Sequence, residues 1–164
     1  MTDSLARRLG RTEAFEVLPE AVLPALAAAL VEQRLPKGGL LFKDGAPANH
    51  DIGLYVVLEG TVAVRVPRLG GGYIEARQVD AGELVGLLGL ISPSARRHAN
   101  VIALTDTVVA HMPRGAFLAL YEGHDRLSVA FLRVVGNQLA RDLRRVDAAL
   151  QTAATGKRPD TGLV

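Results

Sequence analysis

Apolar positions along this chain fall into three regimes, and each predicts a different kind of element. Residues 3–10 and 20–34 read as helices. In the second stretch Leu23, Leu26, Ala27 and Leu30 recur at helical spacing, giving one face that can pack inward. Pro24 lies near the start of that helix, where its missing N–H costs least. The pattern changes at Pro36-Lys37-Gly38-Gly39, and from there to residue 112 the chain reads as short strands between turn signals. Leu40-Leu41-Phe42 precedes Asp44-Gly45, and Leu54–Leu58 precedes Glu59-Gly60. Val62, Val64 and Val66 alternate with Thr61, Ala63 and Arg65, the period of a strand with one buried face. A glycine-rich loop over Pro67–Gly72 leads to a strand over Tyr73–Val79, and Val101–Leu104 and Val108–Met112 flank Thr105-Asp106. Several short strands at this spacing predict a sandwich or barrel.

Helical character returns at residue 114. The segment Asp125–Leu150 has no proline and carries Leu132, Gly136, Leu139, Leu143, Val146 and Leu150 at alternating steps of four and three. That is the rhythm of a coiled-coil seam. A homodimer through residues 130–150 is expected, with Gly136 allowing close approach. Residues 151–164, small and polar, are expected to be disordered. The organisation read from the chain is therefore N-terminal helices and a strand-rich body over residues 1–124, a long helix over 125–150, and a tail over 151–164.

Composition changes this picture in three ways. At 164 residues the chain fits one domain, and with only 4% aromatic residues its core is built from Leu, Val and Ala. The absence of Cys excludes disulfides, thiolate metal sites and thiol nucleophiles together. The formal charge is only +2. Its basic residues are scattered apart from Arg96-Arg97 and a helical group, Arg141, Arg144 and Arg145, that reads as a solvated face. No specific nucleic-acid binding is expected. The most apolar run, residues 21–31, is broken by Pro24 and falls well short of the roughly 20 residues a membrane span needs. No membrane partner is expected, and a cytoplasmic location is the default.

Candidate chemistry concentrates in Gly82-Glu83-Leu84-Val85-Gly86-Leu87-Leu88-Gly89-Leu90-Ile91, followed by Arg97-His98-Ala99-Asn100-Val101. Gly82 and Gly86 suit positive φ or close approach of a ligand to backbone. A helical turn starting near Gly86 would offer free N–H groups to an anion, and Arg97 could close on a phosphate with two parallel hydrogen bonds. The plainer reading of Arg97 is a surface pair with Glu83, and of Leu87 and Leu88, core. No catalytic residues are assigned: Ser92 and Ser94 lack the context of an activated nucleophile, and Thr155-Gly156-Lys157 lacks the glycine and strand that precede a phosphate loop. His50, His111 and His124 show no ligand spacing, so no metal is expected.

In order and spacing, these segments resemble the cyclic-nucleotide-binding domains of catabolite activators and protein-kinase regulators. The similarity spans residues 15–150. It includes Lys37-Gly38 with Gly45, the strand and turn from Tyr55 to Gly60, the cassette and the long final helix. It implies a mainly β fold with flanking helices: a double-stranded β-helix (β-roll or jelly roll) with N-terminal helices and a long C-terminal helix. It also implies a ligand site at Gly86, Leu87, Leu88, Arg97, His98 and Ala99, with Arg97 matching the arginine that binds the cyclic phosphate. Two positions depart from the family. Leu87 stands where the family has the glutamate that accepts the ribose 2′-hydroxyl, and His98 replaces a hydroxyl residue.

The function so implied is a non-enzymatic regulatory or sensor module. It would bind a cyclic nucleotide or other small anionic ligand, need no further cofactor, and signal through its C-terminal helix. One alternative is a ligand-free module that works through a protein partner. The other is a transcription regulator of the catabolite-activator type lacking its DNA-binding domain, since only residues 151–164 follow the long helix.

Overall fold

The computed structural model describes residues 2–46, 52–91 and 96–154; Ser92, Ser94, His50 and Thr155-Gly156-Lys157 lie outside them. The chain opens with α1 (Thr2–Leu9), two 3₁₀ turns at Glu13–Phe15 and Glu20–Val22, and α2 (Leu23–Ala28). Eight strands follow: β1 (Val31–Leu35), β2 (Leu40–Phe42), β3 (Gly53–Glu59), β4 (Thr61–Pro67), β5 (Tyr73–Asp80), β6 (Leu84–Val85), β7 (Asn100–Ala103) and β8 (Thr107–Pro113). A short helix, α3 (Leu87–Ile91), separates β6 from β7, and α4 (Arg114–Tyr121) and α5 (Arg126–Ala154) close the chain.

The strands form two antiparallel four-stranded sheets, ordered β1-β8-β3-β6 and β2-β7-β4-β5. This is the β-roll with N-terminal helices and a long C-terminal helix. Strand β3 shows how it is held together. Leu54, Val56 and Leu58 point into a core shared with the helices, where they meet Leu9, Phe15, Leu26, Phe117 and Phe131. Tyr55 and Val57 point the other way, into the interior between the sheets, with Val62, Val79, Val101 and Val109. Both faces are buried, so the strand reads as an unbroken apolar run rather than an alternating one. On β4, Val62 and Val64 face the same interior, as their spacing predicts.

One element differs in kind from its sequence pattern. The helix expected over 20–34 stops at Ala28, and Val31–Leu35 is a strand pairing with β8 from Val31 opposite His111 to Leu35 opposite Thr107. Glu32, Gln33 and Arg34 are exposed and carry no alternation of their own. The free edge of β8 dictates their conformation, a tertiary override of local pattern.

Two differences concern α5, which runs on to Ala154, four residues into the segment expected to be disordered; the rest of that segment lies outside the described residues. Its basic group is also not simply solvated. Arg141 donates to Gln138 at 3.1 Å and lies 4.0 Å from Glu13, and Arg145 pairs with Glu83.

Asp125 starts α5 as its N-cap: Ser128 N–H donates to its Oδ1 at 2.7 Å, satisfying one of the helix's free N–H groups. That bond holds the Asp125 carboxyl below the usual aspartate range. A depressed folded pKa gives stability that is complete above the unfolded value of about 3.9 and is lost as pH falls through the lower folded value. Melting temperature followed from pH 7 to 3 should therefore show an acid-side decrease that Asp125→Asn, an equally good cap, flattens without lowering stability at pH 7.

Candidate functional site

The cassette begins at the sheet edge. After β5 the chain turns through Gly82, forms β6, and turns again at Gly86 into α3, with φ values of 95° and 98° that a side chain would disfavour. Leu87 packs into the helix-side core, whereas Leu88 is 66% exposed on the outer face of α3. Residues 92–95 lie outside the described segments, and the chain re-enters at Arg96. The Arg97 backbone is clamped to the turn after β2: Gly45 N–H donates to its carbonyl at 2.9 Å, and its own N–H donates to Ala46 O at 3.2 Å.

The Arg97 side chain turns inward and is only 3% exposed. Its Nη1 donates to Gly86 O at 3.1 Å and its Nη2 to Gly53 O at 2.8 Å. The guanidinium carbon lies 4.0 Å from the centre of the Phe42 ring and 5.6 Å from that of Tyr55. Tyr55 in turn stacks on Phe42 and, at 4.6 Å between centroids, on His111. Among the described residues no carboxylate pairs with Arg97. Burial pushes the guanidinium below its ordinary pKa, and the Tyr55 hydroxyl works in the opposite direction. The surface pair with Glu83 does not form: Glu83 accepts from Asp80 N–H at 3.0 Å and pairs with Arg145.

Glycines shape this niche. A Cβ on Gly86 would lie 2.8 Å from Arg97 Nη1, and one on Gly89 would lie 3.3 Å from Arg97 Cδ. Of the residues expected at the site, Gly86 and Arg97 are brought into contact. Ala99 is buried beside Arg97 in the chain, while His98 is exposed. Leu87 and Leu88 point into the core and into solvent respectively.

The signature of cyclic nucleotide-binding domains matches residues 32–124, more than half of the chain, including both halves of the cassette. The chain belongs to the cyclic nucleotide-binding domain family. No curated protein matches it in sequence, but solved structures do. The N-terminal domain of a transcriptional regulator from Streptomyces coelicolor is 30% identical, with a TM-score of 0.64 over 87% of this chain and 96% of that one. The catabolite activator protein of Thermus thermophilus is 26% identical, with a TM-score of 0.63 over 90% of this chain. CLP, a c-di-GMP-responsive global regulator of Xanthomonas campestris, shares the fold at 22% identity and a TM-score of 0.70 over 83% of this chain. The chain spans 63% and 65% of the lengths of these last two.

In this cyclic nucleotide-binding domain, sequence reasoning missed three residues around the cassette arginine: Gly53, Phe42 and Tyr55. A signal was available. With four Phe, three Tyr and no Trp in the chain, each aromatic residue is scarce, and two of them flank one buried cation.

Proposed function

We propose that this domain is a regulatory module whose cassette receives a small anionic ligand at Arg97 and whose α5 carries the output to a second copy of the chain. The observation that carries the reading is the buried guanidinium, whose partners among the described residues are all neutral. An uncompensated buried charge is expensive, and two carbonyls and an aromatic face offset that only in part. A phosphate would supply the missing charge and match the two-pronged donor geometry. To do so it must replace Gly53 O and Gly86 O, so Arg97 has to turn outward as the ligand enters. Gly86, His98 and Ala99 would line the approach. The apolar stripe of α5 supports the output half, since Leu143 and Leu150 are 62% and 63% exposed among the described residues. Among the described residues no helix is long and apolar enough to cross a membrane.

The ligand is not an ordinary cyclic nucleotide on this reading. Leu87 offers no acceptor to a ribose 2′-hydroxyl, and a polar group buried without a partner costs about 1–3 kcal/mol. That corresponds to roughly a five- to 150-fold loss of affinity. Titration calorimetry should show 2′-deoxy cyclic AMP binding at least as tightly as cyclic AMP, with Arg97→Ala abolishing both. Tighter binding of cyclic AMP than of its deoxy analogue would mean that another residue has taken the glutamate's role.

A second reading rests on the same side chain. Arg97 is already hydrogen-bonded at both terminal nitrogens, so the roll can be a ligand-free interaction module in which the arginine is purely structural. A flat response to both nucleotides and to inorganic pyrophosphate would favour it.

A further inference from the structure

The two halves of α5 are held to the roll by different forces. Its buried residues are Ser128, Ala130, Phe131, Val134, Val135 and Gln138, and none lies beyond Gln138. Up to that point apolar packing anchors the helix; beyond it, no side chain is buried and hydrogen bonds and ion pairs tie the helix to the roll. Gln138, fully buried, accepts from Leu84 N–H at 3.3 Å and donates to Asp142 at 2.9 Å. Asp142 lies 3.1 Å from Arg77 Nη1, and Arg77 Nη2 donates to Leu84 O at 3.2 Å. Arg145 pairs with Glu83 and approaches Asp142 at 3.5 Å.

Leu84 lies on β6, the outermost strand of its sheet, so its outward N–H and C=O would otherwise be open edge groups. Gln138 and Arg77 satisfy one each. Burial lowers the Arg77 pKa, with Asp142 and Glu83 opposing that shift and Arg145 adding to it. The charges therefore hold one another in place.

We propose that this cluster is a releasable latch. It ties Glu83 and Leu84, the leading strand of the cassette between two positive-φ glycines, to the distal half of α5. When the latch opens, residues 139–154 leave the roll while residues 126–138 stay anchored. The latch and the apolar stripe do not compete. Gln138, Asp142 and Arg145 each precede a stripe residue (Leu139, Leu143, Val146) by one position, so the two faces are about 100° apart. A closed latch thus leaves the stripe open and fixes the angle at which it is presented. The inference needs no ligand and stands whether or not the cassette binds one.

The chain contains no Cys, so spin labels can be placed at will. Double electron–electron resonance is measured on Ile74→Cys/Ala149→Cys for the distal half and Ile74→Cys/Val129→Cys for the proximal half. Labelled chains are diluted with unlabelled chain so that only distances within one protomer are read. Both distributions should be narrow at low salt. Asp142→Asn with Arg145→Gln should at least double the width of the distal distribution and leave the proximal one unchanged. Sodium chloride at 1 M, where screening reaches about 3 Å, should act in the same direction on the unaltered network. A distal distribution that stays narrow in both the double variant and 1 M salt overturns the latch, as does simultaneous broadening of both pairs. If the double variant fails to fold, the salt dependence alone decides.

Discussion

If α5 pairs as proposed, a variant carrying Leu139→Asp and Val146→Asp should be a monomer by light scattering at concentrations where the parent chain runs as a dimer. In the single protomer Leu143, Val146 and Leu150 are more than half exposed and Leu139 is 36% exposed, and none of the four belongs to the buried core, so replacing Leu139 and Val146 leaves that core intact. Stability of the protomer should therefore change little. In a parallel pair the same side chains are buried against their counterparts, each contributing about 1.5–3 kcal/mol. The double variant loses four such residues per dimer and places four carboxylates in the seam. A Cβ on Gly136 would meet nothing within 4 Å among the described residues, so that face of the helix is open to close approach by a second helix. A parent chain that is already monomeric at high concentration would sink the idea.

The largest effect on stability should come from Gly53→Ala. A Cβ there would lie 2.1 Å from His111 Nε2 and 2.3 Å from Met112 O. The second contact is with backbone, so relief requires β3 and β8 to separate where Gly53 pairs with Pro113 and Leu54 with Met112. The Gly53 carbonyl that accepts from Arg97 moves with them. Overpacking of this kind costs about 3 kcal/mol, or roughly 6–12 °C in melting temperature for a chain of this size. Gly115→Ala is the control: it lies on α4 with open space around it, and Ala is the better helix former by about 1 kcal/mol. Thermal melts that rank the two alike would show that the β3–β8 contact yields more easily than its geometry implies.

Local pattern carried most of the architecture, because elements with one face on a core repeat their apolar residues at their own period and β3, buried on both faces, shows as an apolar run between turns. It failed at β1, where Val31–Arg34 are exposed and the conformation comes from pairing with β8, far along the chain. It failed again at Arg141 and Arg145, which read as solvated charges but meet partners on the roll. A charge count along a helix cannot see a carboxylate on another element.

What the sequence determined by itself was the run of short strands between turn glycines, the two cassette glycines that take positive φ, and the apolar stripe of the last helix. These are properties of neighbouring residues, set by backbone sterics and by side-chain period. Only the tertiary structure decided where the polar groups go. The Arg97 guanidinium ends on a carbonyl 44 residues away, and Arg145 pairs with a carboxylate 62 residues away. A buried polar group must find a partner wherever the fold brings one, and that partner's place in the chain follows no local period.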